Sequence, residues 1–203
     1  MDERLALFGG TFNPVHRGHI EVARAALAEL QLGELWLVPS AVPPHKAAVD
    51  LAPAADRLAM CRLAARDEQR IKVSDVEALT AGPSYTVYTL RRFAGERPRA
   101  QIMLLMGADM LRDFHLWRRF KEIAGLARVV TLPRPGFEIG PLAELRAALG
   151  EVVVERILGD VLHTPLVDAS STEIRRRVKA GEPLDDLVPA AVAKYIGEHG
   201  LYV

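Results

Sequence analysis

Short, continuously apolar segments alternate along this chain with segments that have the periodicity of a helix. Helices are predicted where apolar residues recur at spacings of three and four, as in Ile20, Ala23 and Leu27. Strands that are apolar throughout must be covered on both faces, as in parallel sheets. The sequence therefore predicts a doubly wound α/β fold with a mainly parallel sheet. The predicted strands are residues 5–8, 35–38, 71–73, 102–106 and 128–132.

The last third of the chain is predicted to be more helical than the rest. Helices are expected over about residues 172–180 and 189–198. Before them, residues 152–154 are expected to form a short strand, and residues 162–167 another. Because no linker or repeat is visible, the chain of 203 residues is interpreted as one domain, with a helical C-terminal part over about residues 170–203.

The charge balance limits the classes of partner. Lys plus Arg number 26 and Asp plus Glu number 26, so the formal net charge is zero. This disfavours a globally basic nucleic-acid binder and an acidic disordered chain. No apolar segment approaches the ~20 residues of a membrane span, and the first residues do not resemble a signal peptide. We therefore expect a cytoplasmic protein that binds neither nucleic acid nor membrane, with its one cysteine, Cys61, in the core.

Residue types that bind phosphate cluster directly after the predicted strands. The carboxyl ends of parallel strands meet at one edge of the sheet, where ligands bind in open α/β folds. The sequence therefore predicts a phosphate-binding site at this edge. Gly, His, Lys, Arg, Ser and Thr are concentrated in residues 9–19, 39–46, 107–109, 133–136 and 170–175.

The strongest single signal is the segment after the first strand, Gly9-Gly10-Thr11-Phe12-Asn13-Pro14-Val15-His16-Arg17-Gly18-His19. Its two glycines allow the backbone to approach a ligand, and the helix that begins near Gly18 directs free N–H groups and its positive end toward the loop. His16 and His19 share a face of the first turn, where both rings can donate to phosphate oxygens. Two alternatives stay open: a turn with solvated histidines, and metal binding by His16, His19 and His45, which lacks a supporting carboxylate or cysteine.

Two common nucleotide motifs are absent from this segment. It does not match G-x-x-x-x-G-K-[ST], which disfavours a P-loop ATPase. It does not match G-x-G-x-x-G either, because Phe12 and Pro14 stand where a dinucleotide needs glycine. A hydride-transferring dehydrogenase is therefore disfavoured as well.

A second anion-binding segment is predicted near the C-terminus. Ser170 and Glu173 have the spacing of a helix capping box. Because helical side chains lean toward the N-terminus, Arg175 can reach back over the first turn. Ser171, Thr172 and Arg175 are therefore candidates for a second phosphate-binding group.

Other positions allow both a structural and a functional interpretation. His45 and Lys46 end a proline-rich loop that is either an exposed surface or a binding loop. Asp109 either caps a helix or accepts hydrogen bonds from ribose hydroxyls. Trp117 either packs in the core or stacks on a flat ring.

Two motifs together resemble a known superfamily. The H-x-G-H pattern within residues 9–19, with the later Ser170-Ser171-Thr172-x-Ile174-Arg175, is similar to the nucleotidyltransferase superfamily and its Rossmann-like fold. Intermediate segments resemble the bacterial nicotinate-nucleotide adenylyltransferases within it, in the family's order from the first strand to the C-terminus. These segments are Val42-Pro43-Pro44-His45-Lys46, Pro83-Ser84-Tyr85-Thr86, Gly107-Ala108-Asp109, Trp117, Arg134-Pro135-Gly136 and Gly200-Leu201-Tyr202.

The resemblance implies adenylyl transfer in NAD synthesis, in which ATP and nicotinate mononucleotide give deamido-NAD (nicotinate adenine dinucleotide) and pyrophosphate. The 5′-phosphate of the mononucleotide attacks the α-phosphorus of ATP directly, with Mg²⁺ bound through the ATP phosphates and no metal site on the chain. The residues agree with this chemistry, because they offer hydrogen-bond donors and positive charge but no evident nucleophile–base pair.

The resemblance also implies roles for individual residues. His16 and His19 are the catalytic residues, with His19 nearest the α-phosphate, and Thr86 and Trp117 frame the nicotinate ring. The implied ATP-binding residues are Gly9, Gly10, Thr11, Phe12, His16, His19, Lys46, Gly107, Asp109, Ser171, Thr172 and Arg175. The implied nicotinate-nucleotide-binding residues are Gly10, Ser40, His45, Thr86, Trp117 and Arg134.

Four positions depart from the commonest family pattern. Asn13 replaces a frequent Asp, and both residues accept a capping hydrogen bond. Ser40 replaces a frequent Asn, and Ala169 replaces a frequent Ile, which affects packing only. Arg118 replaces a frequent aromatic residue, which bears on the recognition of the nicotinate ring. We expect a preference for the acid over the amide mononucleotide.

Two other functions are considered beside the leading one. The first is a sister adenylyl- or cytidylyltransferase with another phosphate acceptor, such as a pantetheine phosphate, which Thr86, Trp117 and Arg134 disfavour. The second is a non-catalytic nucleotide-binding module, which the presence of both His16 and His19 disfavours. The sequence is also compatible with a homo-oligomer.

Overall fold

A computed structural model describes residues 3–41, 50–80, 82–133, 139–163 and 169–203. Its strands form one five-stranded sheet with the order β3-β2-β1-β4-β5. β1 pairs in parallel with β4, and β4 pairs in parallel with β5. The predicted α/β fold with a mainly parallel sheet is confirmed. The strands are β1 (Arg4–Gly10), β2 (Glu34–Pro39), β3 (Ile71–Val73), β4 (Gln101–Gly107) and β5 (Arg128–Leu132).

Helices separate the strands and form the C-terminal part of the chain, as expected from the apolar periodicity. The α-helices of the described residues are α1 (Arg17–Glu29), α2 (Ala54–Ala65), α3 (Thr86–Glu96), α4 (Ala108–Leu111), α5 (Phe120–Leu126), α6 (Ala143–Leu149), α7 (Glu151–Gly159), α8 (Ser171–Ala180) and α9 (Ala190–Glu198). A short 3₁₀ helix, η1, covers Phe114–Leu116.

The predicted strand at residues 152–154 is wrong, because these residues belong to α7. Val154 and Ile157, three residues apart, are buried, whereas Val152 is 84% exposed. That pattern has the period of a helix, which a run of three valines hides. Of the strand predicted at residues 162–167, residues 164–167 lie outside the described residues, and an isolated parallel bridge joins Val161 to Thr131.

The chain divides into two compact units, each assembled from separate segments. The first unit contains Met1–Gly9, Ala25–Leu35 and Tyr85–Thr164, and its core includes Leu104 of β4 and Val130 of β5. The single-domain organisation expected from the sequence stays a prediction.

The second unit contains Gly10–Arg24, Trp36–Ser84 and Pro165–Val203. Its core includes Cys61, which is fully buried, as the sequence predicted. Burial raises the pKa of the Cys61 thiol, so this cysteine is protonated and behaves as a small apolar residue. In the part of the chain that the structure describes, no helix has the length and apolar character needed to cross a membrane.

Candidate active site

The first loop of the second unit is built around a buried aromatic ring. Phe12 has a φ of 48° and is 2% exposed, and its ring packs against Gly10. A Cβ added at Gly10 would lie only 3.0 Å from this ring, so glycine is needed here for packing. Gly10 therefore allows the Phe12 ring to pack in the loop, in addition to the close approach of a ligand to the backbone that the sequence predicted.

His16 and His19 form a compact pair at the start of α1. Their ring centroids lie 3.7 Å apart, and the edge of the Phe12 ring faces His19 at 4.9 Å. The backbone N–H of His16 donates to Nδ1 of His19 over 3.2 Å. Because Nδ1 accepts this bond, Nε2 carries the ring proton of neutral His19. The predicted pair is thus brought together, with His19 prepared to act as a donor.

His16 is buried, with 8% of its surface exposed. Burial lowers its pKa to about 4, because a charged imidazole loses hydration there, so His16 is neutral at physiological pH. Its Nδ1 has no hydrogen-bond partner among the described residues. A buried polar atom without a partner is costly, and a bound ligand or water would satisfy it.

The lowered pKa of His16 predicts a specific dependence of stability on pH. From pH 6.5 down to about pH 4 the unfolded chain binds a proton at this residue that the folded chain does not bind, so acidification in this window lowers the free energy of unfolding. His16→Gln removes this term. Between about pH 7 and about pH 5 the variant should lose ~2 kcal/mol less stability than the unaltered chain. Urea unfolding at both pH values measures this, and an equal loss in both proteins would contradict it.

Helix α8 brings the second predicted group onto the same loop. Ser170 caps the helix, accepting a hydrogen bond from the N–H of Glu173 as the capping-box spacing predicts. The Ser171 hydroxyl donates to the carbonyl of Pro14 over 2.9 Å. This hydrogen bond joins α8 to the loop that precedes His16.

Arg175 reaches back over the first turn of α8, as predicted. Its Nη1 donates to the carbonyl of Asn13 over 2.8 Å, and its Nη2 lies 3.4 Å from Oγ1 of Thr172. Its Nε is buried and has no partner within the described part of the chain. His16, His19 and Arg175 therefore belong to one hydrogen-bonded assembly of loop and helix.

Ser40, at the end of β2, contributes another unsatisfied group to the second unit. Its N–H donates to the carbonyl of Gly10 over 3.0 Å, which ties the segment after β2 to the first loop. Its hydroxyl is buried and finds no partner among the residues described. His16, Ser40 and Arg175 thus each hold a buried polar atom without a partner among the described residues, and a bound ligand or water would satisfy each of them.

The N-terminal N–H groups of α1 are less available than the sequence suggested. Arg17 donates its N–H to the carbonyl of Leu187 over 2.9 Å, and the N–H groups of His19 and Ile20 point to the carbonyl of His16. Side chains, more than these backbone groups, are therefore the donors that α1 offers to an anion.

Thr11 belongs to the first loop of the second unit, and the remaining predicted residues that the structure describes belong to the first unit. Gly9 is exposed, and no atom lies within 4 Å of an added Cβ. Gly107 caps α4, and a Cβ there would lie 2.6 Å from Oδ1 of Asp109, so this glycine makes room for the carboxylate. Thr86 begins α3 and is half-buried.

Trp117 and Arg118 follow η1 and contact aromatic rings. Trp117 is half-buried and packs edge-on against Phe114, with centroids 5.6 Å apart. The Arg118 guanidinium lies 5.1 Å from the centroid of Tyr85 and 5.8 Å from that of Tyr88. Arg118 therefore forms cation–π contacts with both tyrosine rings.

Three predicted residues, His45, Lys46 and Arg134, lie outside the described residues. In the described ranges, no group of three or more His, Cys, Asp or Glu side chains could hold a metal ion.

The sequence interpretation assigned no role to Arg57 or to Tyr202, although Tyr202 belongs to a segment that resembles the family. Arg57 is fully buried in α2, and the Tyr202 hydroxyl donates to Oδ1 of Asn13 over 2.9 Å. A signal for Arg57 existed, because it stands four residues before Cys61, on a helix face expected to be apolar. A charged residue on such a face needs a specific partner.

Known proteins resemble this chain over its whole length. The family model for cytidylyltransferase-like proteins matches residues 7–177. A probable nicotinate-nucleotide adenylyltransferase of Neisseria meningitidis serogroup B is 39% identical over 201 residues, which cover 98% of each chain. Another from Clostridium tetani is 35% identical over 98% of this chain and 99% of its own. This chain belongs to the nicotinate-nucleotide adenylyltransferase family.

Solved structures agree with this nicotinate-nucleotide adenylyltransferase fold. The Plasmodium falciparum nicotinic acid mononucleotide adenylyltransferase complexed with NaAD superposes with a TM-score of 0.77 and 17% identity, over 98% of this chain and 97% of its own. A putative nicotinate-nucleotide adenylyltransferase from Vibrio parahaemolyticus has a TM-score of 0.69, with 19% identity and coverage of 98% and 95%. At these identities the superposition establishes the fold.

Proposed function

We propose that this chain transfers the adenylyl group of ATP to nicotinate mononucleotide, forming deamido-NAD and pyrophosphate. The observation that carries the proposal is the assembly of His16 in the first loop, His19 at the start of α1 and Arg175 in α8. In it, His16 and Arg175 each hold a buried polar atom without a partner among the described residues. The proposal is supported by relatives named for this activity that align over almost the entire chain.

The proposed reaction is a single displacement at phosphorus. An oxygen of the mononucleotide 5′-phosphate attacks the α-phosphorus of ATP. The bond from the α-phosphorus to the oxygen shared with the β-phosphate breaks, and pyrophosphate leaves with that electron pair. No side chain forms a covalent bond, so the protein acts by positioning the two phosphates and by stabilising the negative charge on them.

His19 is proposed to act on the transferring group. Its ring is fixed by the N–H of His16 and by the edge of Phe12, so its Nε2–H has a defined direction. A donor that is already oriented stabilises developing charge without the cost of reorganisation. We assign to Nε2 a hydrogen bond to an oxygen of the α-phosphate.

His16, Ser40 and Arg175 are proposed to bind phosphate oxygens through the atoms that lack partners. Neutral His16 can donate one ring proton, the Ser40 hydroxyl can donate its own, and Nε of Arg175 adds a charged donor. Hydrogen bonds from charged donors are about twice as strong as neutral ones, so Arg175 should contribute most to binding. Ser171 and Thr172 support Arg175 by holding α8 and its first turn against the loop.

Residues of the first unit are proposed to bind the sugars and the nicotinate ring. Gly9 leaves space beside its backbone, and Gly107 makes room for the Asp109 carboxylate, which is suited to ribose hydroxyls. Thr86, with the N-terminus of α3, and Trp117 are assigned to the nicotinate ring. His45, Lys46 and Arg134 keep the roles that the family resemblance implies.

Magnesium is proposed to bind through the phosphates of ATP, where it would neutralise part of their charge and of the charge on the leaving pyrophosphate.

The cytoplasm is the proposed location, because both substrates are multiply charged and do not cross membranes unaided.

A comparison of three acceptors tests the proposed function. Purified protein is incubated with ATP and Mg²⁺ and with nicotinate mononucleotide, its amide or a pantetheine phosphate, and pyrophosphate release is measured. We expect rapid release with the acid and much slower release with the amide. Release with the pantetheine phosphate but with neither mononucleotide would overturn the assignment in favour of a sister transferase. If none of the three acceptors supports pyrophosphate release, only nucleotide binding would remain.

A further inference from the structure

Arg57 is the largest fully buried side chain described, and its hydrogen-bond partners among the described residues are all backbone carbonyls. Nε donates to Ala52 over 2.9 Å, Nη1 donates to Thr11 over 2.7 Å, and Nη2 donates to Ala41 over 2.8 Å. The planar fork of arginine suits this task, because its donors point in fixed directions that a lysine ammonium does not reproduce.

The three carbonyls belong to three separate segments: the first loop, the segment after β2 and the residues before α2. Thr11 lies in the first loop, directly before Phe12, and Ala41 follows Ser40 at the end of β2. Ala52 precedes the helix that carries Arg57 itself. One side chain therefore fixes the spacing between the first loop and the segment after β2.

Asn13 holds the same assembly from the other side. Its Oδ1 accepts the N–H of Ala52 over 3.0 Å and the hydroxyl of Tyr202 over 2.9 Å, and its Nδ2 donates to the carbonyl of Asp50 over 2.8 Å. Ala52 is thus bound through its carbonyl by Arg57 and through its N–H by Asn13. Burial raises the pKa of Tyr202, which keeps its phenol protonated and able to donate.

No carboxylate compensates the charge of Arg57 among the described residues. The titratable groups that act on it electrostatically are Tyr202 and Cys61, and both are neutral because burial raises their pKa values. Burial also lowers the pKa of Arg57, although arginine stays charged at physiological pH. A buried cation with only carbonyl partners is stabilised further by an anion that binds nearby.

We infer that Arg57, together with Asn13 and Tyr202, is a positioning residue for adenylyl transfer that holds the first loop in the geometry in which His16 and His19 meet the phosphates. This inference rests on the proposed function, because it assigns to the cluster a role in that reaction. Arg57 acts on the loop through the carbonyl of Thr11, and Tyr202 acts on it through Asn13. Loss of these contacts should therefore affect turnover more than ATP binding.

Arg57→Lys tests the inference, because it keeps the buried charge but removes the fork. We expect kcat to fall ~10- to 100-fold while the KM for ATP changes less than ~3-fold. Arg62→Lys is the matched control, since Arg62 lies on the same helix but is exposed and pairs with Asp75. The control should keep kcat within about 2-fold of the unaltered chain.

A purely structural role is distinguished by a second pair of variants. Tyr202→Phe removes one hydroxyl from Asn13, and Tyr195→Phe removes a comparable hydroxyl, which donates to Asp56 and does not touch the loop. Both variants are assayed at a temperature well below their Tm, where each is fully folded. Under this condition Tyr202→Phe should lower kcat ~3- to 10-fold, and Tyr195→Phe should not. This pair decides the inference if Arg57→Lys fails to fold.

Hydrogen exchange of residues 10–19 tests positioning independently of activity. Arg57→Lys or Tyr202→Phe should speed exchange in this segment, and the control variants should not. Unchanged exchange in these variants, or unchanged kcat in an active enzyme, would overturn the inference. An unaltered chain that is inactive with every acceptor would instead overturn the proposed function, and exchange would then decide the inference alone.

Discussion

Replacing His19 by alanine is expected to lower turnover at least ~100-fold with little change in stability. The ring is only partly buried, so its removal costs little packing, but its Nε2–H is the donor assigned to the transferring phosphate. Loss of a single oriented donor to a transition-state charge costs on the order of 100- to 1,000-fold in other enzymes. Steady-state kinetics with saturating ATP and nicotinate mononucleotide measure the effect.

His163→Ala is the matched control for this experiment. His163 is 93% exposed in its side chain and pairs with Glu29 at the surface. Its loss should leave kcat within about 2-fold of the unaltered chain, as expected for an exposed surface contact. Near-normal turnover of His19→Ala, with correct folding, would contradict the role assigned to His19.

Arg175→Met is expected to lower kcat/KM for ATP on the order of 100-fold. The substitution keeps most of the aliphatic stem but removes the charge, the bond to the carbonyl of Asn13 and the unpaired Nε. Charge-assisted hydrogen bonds are worth roughly 1.5–3 kcal/mol each, so losing them at a polyphosphate site should raise KM and also slow the reaction. Initial rates over a range of ATP concentrations separate the two effects.

Arg176→Met is the corresponding control on the same helix. Arg176 pairs with Glu173 and Glu182 on the exposed side of α8 and makes no contact with the first loop in the described structure. We expect it to change kcat/KM less than about 3-fold. Equal losses in the two variants would show that the helix, rather than the Arg175 guanidinium, carries the effect.

The outline of the site could be predicted from local sequence patterns. The spacing of His16 and His19 placed both rings on one helical turn, and the capping box at Ser170 fixed where α8 begins. From that start, the backward lean of helical side chains brings Arg175 over the first turn. These features depend on residues close together in the chain, so periodicity and capping rules are sufficient for them.

Contacts between distant segments could not be predicted in the same way. Arg57 meets carbonyls that lie 5, 16 and 46 residues away, and any backbone offers a carbonyl, so the sequence does not mark its partners. Tyr202 reaches Asn13 across 189 residues. The valines at residues 152–154 were assigned to a strand because valine favours strands locally. In the structure the burial of Val154 and Ile157 outweighs this preference, and the segment forms α7.

The measurement that tests the central claim most directly follows the α-phosphate. ATP radiolabelled at the α-phosphate, and ATP radiolabelled at the γ-phosphate, are each incubated with the protein, Mg²⁺ and nicotinate mononucleotide, and the products are separated. Direct attack at the α-phosphorus predicts that the α label enters the dinucleotide and that the γ label leaves in pyrophosphate. The appearance of γ label in the acceptor, or an α label bound covalently to the protein, would contradict it.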